Sequence, residues 1–276
     1  MKLTALQIKK FQTKIWNYYT ANGRDFIWRK KMTPYYIVVS EIMLQQTQTK
    51  RVAEKFPEFI SKFPSFKALS KASTAEVVLA WQGLGYNRRA LFLRELAKKV
   101  VVEYKGKLPQ NPEELIKLPG VGKNTAGSIA AFAFNAPTVF IETNIRSVFL
   151  HEFFPNQTEI PDTELIPLIK ATVSKDNPRE WYWALMDYGV ALKKEHTNPS
   201  RASQHHTKQS KFIGSKRQIR GEILRRLGVE SLSLRELEEA VRKLESTHFE
   251  ELPTILNQLI AEGFIEKRQG KFGLKK

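Results

Sequence analysis

The 276-residue sequence contains no cysteine. This absence excludes disulfides, thiolate zinc sites, cysteine-held iron–sulfur clusters and a cysteine nucleophile. The sequence also lacks a run of about 18–20 uncharged apolar residues, which a membrane-spanning helix needs. Acidic residues are the minority, since 28 Asp and Glu stand against 45 Lys and Arg, and the formal net charge is +17. This surplus exceeds what solubility requires and predicts a polyanionic partner such as nucleic acid.

The remaining composition is that of a globular protein, with 42% hydrophobic and 26% charged residues. The first nineteen residues lack the apolar segment and small-residue cleavage site of a secretory signal. They show helical spacing of apolar side chains instead. We therefore expect a cytoplasmic protein that does not bind membranes and that lies on the nucleoid when it is bound to DNA.

The body of the chain is predicted to be all-α, because strands and helices do not alternate along it. Helices are expected over residues 35–46, 50–63, 74–81, 88–104, 115–118, 125–134, 163–174 and 179–192. We expect a first domain over residues 1–192, a basic linker over 193–215 and a small second domain over 216–276. The linker contains His196, His205 and His206, but it offers no carboxylate at ligand spacing, so a solvated loop is favoured over a metal site.

The C-terminal segment predicts three helices and a hairpin. Ser233 and Glu236 form a capping box before the second helix, and Pro253 opens the third. The sequence FIEKR, a Gln-Gly turn and KFGLKK then predict a β-hairpin. This pattern resembles a winged helix, which would place its third helix in the major groove. The alternative is a module that packs on the main domain or binds protein.

The turn Leu118-Pro-Gly-Val-Gly122 lies between two apolar helical segments. Its glycines allow a tight turn and close approach to another chain. The amides that open the next helix can bind a DNA phosphate, and Lys123 adds a charge. This element would bind the DNA backbone without sequence preference. An ordinary glycine-containing helix connection is the simpler alternative.

Two carboxylates are candidates for chemistry. Glu41, Gln45 and Gln48 are spaced to lie on one helix face, which is either solvated or projects Glu41 into a desolvated cleft. Desolvation would raise the pKa of Glu41 and suit it to a general acid. Glu142 follows an apolar run, so it could cap a helix or face a developing cation. Aromatic and amide side chains that could wedge into or stack on bases are Gln46, Tyr86 and Trp28.

Four motifs, SEIMLQQTQ, GLGYNRRALFL, LPGVGKNTAGSIAAF and MDYG, occur in this order. Together they resemble the helix-hairpin-helix DNA glycosylase superfamily, and most closely its MutY-type adenine DNA glycosylases, over about residues 5–190. The resemblance implies a two-lobed helical fold followed here by the winged-helix-like module. It also implies a monomeric enzyme that flips a base out of double-stranded DNA and cuts its N-glycosidic bond.

The resemblance implies roles for individual residues. Glu41 would protonate adenine N7, Glu142 stands where the family has an aspartate that stabilises the sugar cation, and Asn144 would support that site. The base pocket would be lined by Arg24, Phe26, Trp28, Arg29 and Asn124. DNA would be bound by Gln45, Gln46, Thr47, Tyr86, Arg88, Gly120, Val121, Gly122, Lys123, Thr125, Lys208, Lys211, Lys216 and Arg217. The carbonyls of Ile116, Leu118 and Val121 would hold a monovalent or divalent cation.

The sequence departs from the family pattern at four points. Glu142 replaces the aspartate, and one extra methylene could cost about 100-fold in rate if it misplaces the carboxylate. Asn124 replaces the lysine of bifunctional relatives, which predicts a monofunctional enzyme. The iron–sulfur cysteines are absent, so no cofactor is expected to be required. We also expect no counterpart of the family's 8-oxoguanine-reading C-terminal domain within residues 216–276, because this segment is too small and is patterned differently.

Three functions remain open from the sequence. The first is removal of adenine opposite guanine or 8-oxoguanine. The second is removal of another base, such as thymine, uracil or cytosine in a mismatch, or a damaged base. The third is DNA binding without catalysis.

Overall fold

The computed structural model describes residues 2–207, 209–244 and 246–276. The α-helices are α1 Ala5–Asn22, α2 Ile27–Lys30, α3 Pro34–Leu44, α4 Thr49–Lys62, α5 Phe66–Lys71, α6 Thr74–Ala80, α7 Arg88–Glu103, α8 Pro112–Leu115, α9 Lys123–Phe134, α10 Thr143–Phe153, α11 Asp162–Thr172, α12 Pro178–Glu195, α13 Lys216–Leu227, α14 Leu234–Arg242 and α15 Leu252–Ala261. The strands are β1 Leu232–Ser233, β2 Ile265–Arg268 and β3 Lys271–Leu274. The predicted mainly helical fold is confirmed.

The chain forms two compact units that do not follow chain order. The first unit comprises residues 1–41, 109–117 and 121–208, and the second comprises residues 42–108, 118–120 and 209–276. Among the helices that the structure describes, none combines the length and apolar character that a bilayer crossing requires.

The first unit is built around α12. Its core contains Phe11 and Ile15 of α1, Phe149 of α10 and Trp181 of α12, all of them buried. Gly189 of α12 permits close packing on α10, because a Cβ atom there would lie 2.4 Å from the carbonyl oxygen of Asn144. The glycine of MDYG therefore brings α12 against the first turn of α10.

The predicted linker is partly structured and packs on the first unit. Its first three residues complete α12, and Pro199–Ala202 form a 3-10 turn with buried Ser200. Ile160 exchanges backbone hydrogen bonds with this segment, donating to Ala202 and accepting from Gln204. The segment wraps the surface of the unit through these bonds.

The second unit joins α4 to α7 with the C-terminal segment. Val78 of α6 belongs to the same buried core as Ile219 and Leu227 of α13. The amide of Gln82 donates to the carbonyl of Leu224 at 3.3 Å, and the backbone N–H of Ala75 donates to the carbonyl of Lys275 at 3.1 Å. The C-terminal segment therefore packs on α6. This agrees with the alternative prediction that the segment packs on the rest of the protein.

The local predictions for this segment agree with the structure. Ser233 caps α14 in a capping box with Glu236, and Pro253 lies in the first turn of α15. Strands β2 and β3 pair antiparallel around Gln269 and Gly270, which both have positive φ, as a tight hairpin turn favours. The sequence did not predict β1, a strand of two residues that pairs with β3. Strand β3 is therefore the central strand of the three-stranded sheet.

Candidate active site and DNA-binding residues

Glu41 lies near the end of α3, among residues that are almost fully buried. Its own carboxyl group is largely withdrawn from solvent, and burial raises its pKa to about 7. The hydroxyl of Ser128, on α9, donates to Glu41 Oε2 at 2.5 Å and opposes that rise. The carboxyl group therefore titrates near neutral pH, and the desolvated alternative for Glu41 agrees with the structure.

Glu142 is the N-cap of α10. Its Oε1 accepts hydrogen bonds from the backbone N–H groups of Asn144 at 2.9 Å and Ile145 at 3.2 Å. The N-cap expected for this carboxylate is confirmed. The negative charge of Glu142 also raises the pKa of Glu41, so the two carboxyl groups are close enough to interact.

Lys193 completes this group, although the sequence did not predict it as a site residue. Its Nζ donates to Asn144 Oδ1 at 2.8 Å, while Asn144 Nδ2 donates to Glu142 Oε2 at 3.3 Å. Burial lowers the pKa of Lys193, while the charge of Glu142 acts in the opposite direction. The sequence placed Lys193 at the start of a solvated linker, and nothing in its neighbourhood marks it as the lysine that faces inward.

The segment predicted to line the base pocket is fixed by Asp187, the aspartate of MDYG. Arg29 makes two hydrogen bonds to its carboxylate, both at 2.8 Å, and Arg24 donates to it from its backbone N–H and from Nε, each at 2.7 Å. Burial alone would raise the pKa of Asp187, but the bonds and charges of Arg29 and Arg24 lower it. The aromatic rings of Phe26 and Trp28 stack with centroids 4.8 Å apart. The arginines are thus held in place by a buried carboxylate.

Asn124 lies at the start of α9 and is exposed. Its Oδ1 accepts from the backbone N–H of Ile141 at 3.2 Å, directly before Glu142. This bond ties the start of α9 to the segment that carries the second carboxylate. A role in base recognition stays a prediction.

The proposed helical face of Glu41, Gln45 and Gln48 is wrong. Helix α3 ends at Leu44, and Gln46 has a left-handed φ of 54°. The carbonyls of Ile42, Met43 and Gln45 at this helix end accept hydrogen bonds from Arg89 of α7. Gln45 instead donates to the carbonyl of Gly120 at 3.1 Å.

Arg89 organises the loop after α3 and the GLGY segment. One guanidinium nitrogen donates to the carbonyls of Ile42, Met43 and Gln45 at 2.9, 2.8 and 2.5 Å. The other donates to the hydroxyl of Thr47 and to carbonyls of the GLGY segment. Arg88, the residue predicted to bind DNA, is the exposed neighbour of Arg89, and nothing in the sequence distinguishes the two adjacent arginines.

Tyr86 contacts the C-terminal segment. Arg217 Nη1 donates to its hydroxyl at 2.6 Å, and the guanidinium lies 5.0 Å from the ring centroid. Gln209 also donates to this hydroxyl. Of the predicted basic DNA contacts, Lys211 is exposed, Lys216 pairs with Glu251, and Lys208 lies outside the described residues.

The hairpin turn has the expected backbone. Gly120 has φ of +77°, and a Cβ atom there would lie 2.9 Å from Phe92 Cβ, so only glycine fits. Gly122 is the N-cap of α9, Val121 is buried, and Lys123 is exposed. Carbonyl oxygens are suitable ligands for hard cations. The ligands expected for such a cation are the carbonyl oxygens of Ile116, Leu118 and Val121. That cation site and the phosphate contacts of Thr125 and its neighbours stay predictions.

Across the described ranges, no group of three or more His, Asp or Glu residues is arranged to hold a metal ion. In the segment that was predicted to be a linker, the ring of His196 stacks on the ring of His151 of α10, with centroids 4.9 Å apart.

Comparison with known proteins finds a family model that matches part of the chain. Residues 39–167 match the HhH-GPD superfamily base excision DNA repair protein profile, a segment that includes both Glu41 and Glu142. This segment is similar to that superfamily, and the chain has the mostly helical HhH-GPD glycosylase fold.

Two relatives and one solved structure show which DNA glycosylases this chain is similar to. The chain is 35% identical over 187 residues to an adenine DNA glycosylase of Buchnera aphidicola subsp. Baizongia pistaciae, covering 66% of this chain and 52% of the relative. It is 39% identical over 137 residues to an adenine DNA glycosylase of Mycobacterium tuberculosis, covering 49% and 45%. A solved thermostable thymine-DNA glycosylase is 28% identical with a TM-score of 0.59, covering 66% of this chain and 86% of that one.

These matches confirm the predicted resemblance to MutY-type adenine DNA glycosylases within the HhH-GPD superfamily. The matched regions span about half the length of the curated relatives.

Proposed function

We propose that this chain is a monofunctional DNA glycosylase of base excision repair, which flips a mispaired base out of double-stranded DNA and hydrolyses its N-glycosidic bond. The proposed target is adenine opposite guanine or 8-oxoguanine. The observation that carries the proposal is Glu41, a desolvated carboxyl group with a pKa of about 7 that senses the charge of Glu142. The names of the curated relatives support the choice of adenine.

The two carboxyl groups fit the two needs of the reaction. Protonated Glu41 gives its proton to N7 of adenine, the C1′–N9 bond breaks, and its electron pair leaves with the base. The carboxylate of Glu142 stabilises the oxocarbenium-like sugar, as paired carboxylates do in glycoside hydrolysis. Water then adds to C1′ and loses a proton, which leaves an abasic site and free adenine.

Asn124 supports a monofunctional reaction. A Schiff base with the abasic sugar needs an amine, and an asparagine amide cannot form one. Asn124 stands where bifunctional relatives carry a lysine, and its Oδ1 already accepts a hydrogen bond from Ile141. Strand cleavage should therefore require added alkali or heat.

A second candidate is a glycosylase of the same fold for another base. The solved neighbour is a thymine-DNA glycosylase, and Glu142 departs from the aspartate that the family resemblance implies at this position. Under this alternative the acid centre is kept and the target base changes.

The proposal also covers how the protein meets DNA. We expect the hairpin to bind backbone phosphate with a cation on its carbonyls, and the winged-helix-like C-terminal segment to lie against the duplex. We expect the protein to act on DNA as a monomer. Protonation of the base by Glu41 requires no cofactor. The site of action would be the compartment that holds the genome, the cytoplasm of a prokaryote.

The test is base release from a panel of duplexes. Purified protein is incubated with duplexes that carry each mispair and common lesion, and half of every sample is then treated with alkali. Cleavage after alkali at adenine opposite guanine or 8-oxoguanine is the expected result, without nicking in the untreated half. Binding should weaken steeply with salt, because phosphate contacts dominate.

Each other outcome replaces part of the proposal. Cleavage at a different base supports the second candidate. Nicking without alkali at the rate of base release refutes the monofunctional assignment. Binding without release of any base supports a DNA-binding protein that has lost catalysis.

A further inference from the structure

Helix α12 presents one lysine to the start of α10. Gly189 and Lys193 are four residues apart, so they lie on the same face of α12. A Cβ atom at Gly189 would lie 2.4 Å from the carbonyl oxygen of Asn144, so this face packs directly on the first turn of α10. Lys193 is half-buried there, whereas the next residue, Lys194, is exposed. The fold therefore directs Lys193 towards Asn144 and leaves its neighbour in solvent.

Two hydrogen bonds in series join Lys193 to Glu142. Lys193 Nζ donates to Asn144 Oδ1 at 2.8 Å, and Asn144 Nδ2 donates to Glu142 Oε2 at 3.3 Å. The other carboxylate oxygen of Glu142 accepts from the backbone N–H groups of Asn144 and Ile145. Both oxygens of Glu142 are thus bonded, and one of them is held by the side chain of Asn144.

The chemistry of lysine fixes the orientation of the Asn144 amide. An ammonium group has three donors and no acceptor, whereas a carboxamide has an acceptor oxygen and a donor nitrogen in nearly equivalent positions. Lys193 can therefore bond only to the oxygen of Asn144, which leaves the NH2 group to face Glu142. The reversed amide would place its oxygen against the carboxylate and its NH2 group against the ammonium group, and both contacts would be repulsive.

Lys193 also brings a positive charge to this group. Burial lowers the pKa of Lys193, and the charge of Glu142 acts against that change, so the two side chains interact. Arg146 is another cation nearby, but its guanidinium makes two hydrogen bonds to the carboxylate of Asp162, at 2.8 and 2.7 Å. Lys193, in contrast, bonds to the side chain that holds Glu142.

We infer that Lys193 is a positioning residue of the reaction: it fixes the amide of Asn144, and Asn144 then holds the carboxylate of Glu142 beside the sugar cation. The inference rests on the proposed function, since it concerns how the second carboxylate of that reaction is placed. Lys193 acts through Asn144 and does not touch the reacting atoms. Glutamate has one more rotatable bond than aspartate, so its carboxylate needs such contacts to stay in one orientation.

The main experiment measures single-turnover rates on the best duplex of the panel. Lys193→Met keeps an unbranched side chain but removes the donors and the charge, so base release should slow by about 10- to 100-fold, as a misplaced reacting group does. The Kd for the same duplex, measured in the Glu41→Gln background, should stay within about twofold. Lys194→Met is the matched control at the exposed neighbour, and it should keep the wild-type rate within about twofold.

Asn144→Ala shows whether Lys193 acts through Asn144. If it does, Lys193→Met combined with Asn144→Ala should release base as slowly as Asn144→Ala alone, because the lysine has already lost its partner. The two substitutions should also be non-additive in the free energy of unfolding, which urea denaturation measures without any substrate. Additive effects on unfolding would show that the bond does not form.

Chemical rescue separates the amine from packing. The chain has no cysteine, so Lys193→Cys protein carries a single thiol. Alkylation with 2-bromoethylamine forms a thioether analogue of lysine, and the rate should return to within a few-fold of the wild type. Alkylation with iodoethane adds the same two carbons without the amine, and the rate should stay low.

The outcomes separate this inference from the proposed function. The inference is overturned by an unchanged rate in folded Lys193→Met protein, by effects that multiply in the double variant, or by equal recovery with iodoethane. A loss of affinity as large as the loss of rate also overturns it, since Lys193 would then contact DNA. If the wild type releases no base from any duplex while the unfolding effects are non-additive, the link from Lys193 to Asn144 stands and the proposed reaction fails.

Discussion

The two compact units each bury a charged group, but they satisfy its charge in different ways. In the first unit, Asp187 is paired with Arg29 and Arg24, so opposite charges compensate each other. In the second unit, the hydrogen bonds of Arg89 go to backbone carbonyls and to one hydroxyl. Ion pairing fixes two side chains against each other, whereas carbonyl binding fixes the path of the backbone.

The contrast extends to titration. Burial raises the pKa of Glu41 to about 7, and burial lowers that of Arg89 to about 10. At neutral pH, Glu41 is therefore near its midpoint, while Arg89 stays charged. A carboxyl group that exchanges its proton near neutral pH can act as a general acid, whereas Arg89, whose hydrogen bonds go to backbone carbonyls and one hydroxyl, holds the loop in place. We therefore expect the proton transfer of the proposed reaction in the first unit and loop placement by Arg89 in the second.

The largest expected effect tests this assignment at Glu41. Glu41→Gln keeps the shape of the side chain but removes the acid, so base release should fall about 10³-fold or more. Single-turnover rates on the best duplex of the panel measure this loss. In the wild type, the rate should decline as pH rises through about 7, because Glu41 loses its proton there.

The control for this variant is its affinity for DNA, which should remain within about twofold of the wild type. The same substitution should remove a pH dependence of stability. A carboxyl group with a raised folded pKa stabilises the protein fully below its unfolded value, and that stability is lost as pH rises through the folded pKa. A variant that releases base at the wild-type rate would exclude Glu41 as the acid.

In the second unit, the largest stability effect is expected at Arg89. Arg89→Met removes the donors that satisfy several carbonyls, and the free energy of unfolding should fall by about 3–5 kcal/mol. Urea denaturation at neutral pH measures the loss. The matched control is Arg88→Met, since Arg88 is the exposed neighbour and should change stability by less than about 0.5 kcal/mol. Equal effects at the two positions would contradict the role given to Arg89.

Much of the fold could be predicted from local signals. The capping box of Ser233 and Glu236, the proline that opens α15 and the Gln-Gly turn are short-range features, and each acts within a few residues. Helix ends set by distant residues were missed. The carbonyls at the end of α3 bind Arg89, which lies 45 residues beyond Leu44 in the chain.

The candidate site was predictable only in part, for the same reason. Glu142 could be recognised as an N-cap because its partners are two and three residues away. Ser128, Lys193 and Asp187 meet the site through contacts across 87, 49 and 158 residues. No local pattern separates these side chains from other serines, lysines and aspartates. Only the fold brings them to the carboxylates.

The buried ion pairs of the first unit are tested at Asp187. Asp187→Asn leaves two arginines without a carboxylate, and the free energy of unfolding at pH 7 should fall by about 2–4 kcal/mol. The pKa of Asp187 is lowered in the folded state, so its stabilisation is present above the ordinary value of 3.8 and is lost as pH falls through the folded pKa. The deficit of the variant should therefore shrink in acid.

Denaturation at several pH values measures this deficit. Asp162→Asn is the control, because Asp162 pairs with Arg146 at a more exposed site of the same unit and should cost only about 0–1 kcal/mol. If both variants lose the same stability, the buried pair is not what distinguishes the first unit.

The smallest expected effect concerns how the acid is tuned. Ser128 donates to Glu41 at 2.5 Å, and this bond holds the pKa of Glu41 below the value that burial alone would set. Ser128→Ala should raise the pKa of Glu41 further, so the alkaline limb of the rate profile moves to higher pH. The maximal rate should change by only a few-fold, because the acid itself is kept.

Two variants show whether the hydroxyl is responsible for this shift. Ser128→Thr retains the hydroxyl and should keep the wild-type pH profile. Ser40→Ala removes a buried hydroxyl next to Glu41 that bonds the carbonyl of Ile37 in its own helix, and it should not move the limb. A profile that shifts equally in the Ser128 and Ser40 alanine variants would point to packing around α3. The pKa of Glu41 would then be set by burial alone and not by the Ser128 hydrogen bond. In that case Glu41 would resemble Arg89 of the second unit, whose pKa is also shifted mainly by burial.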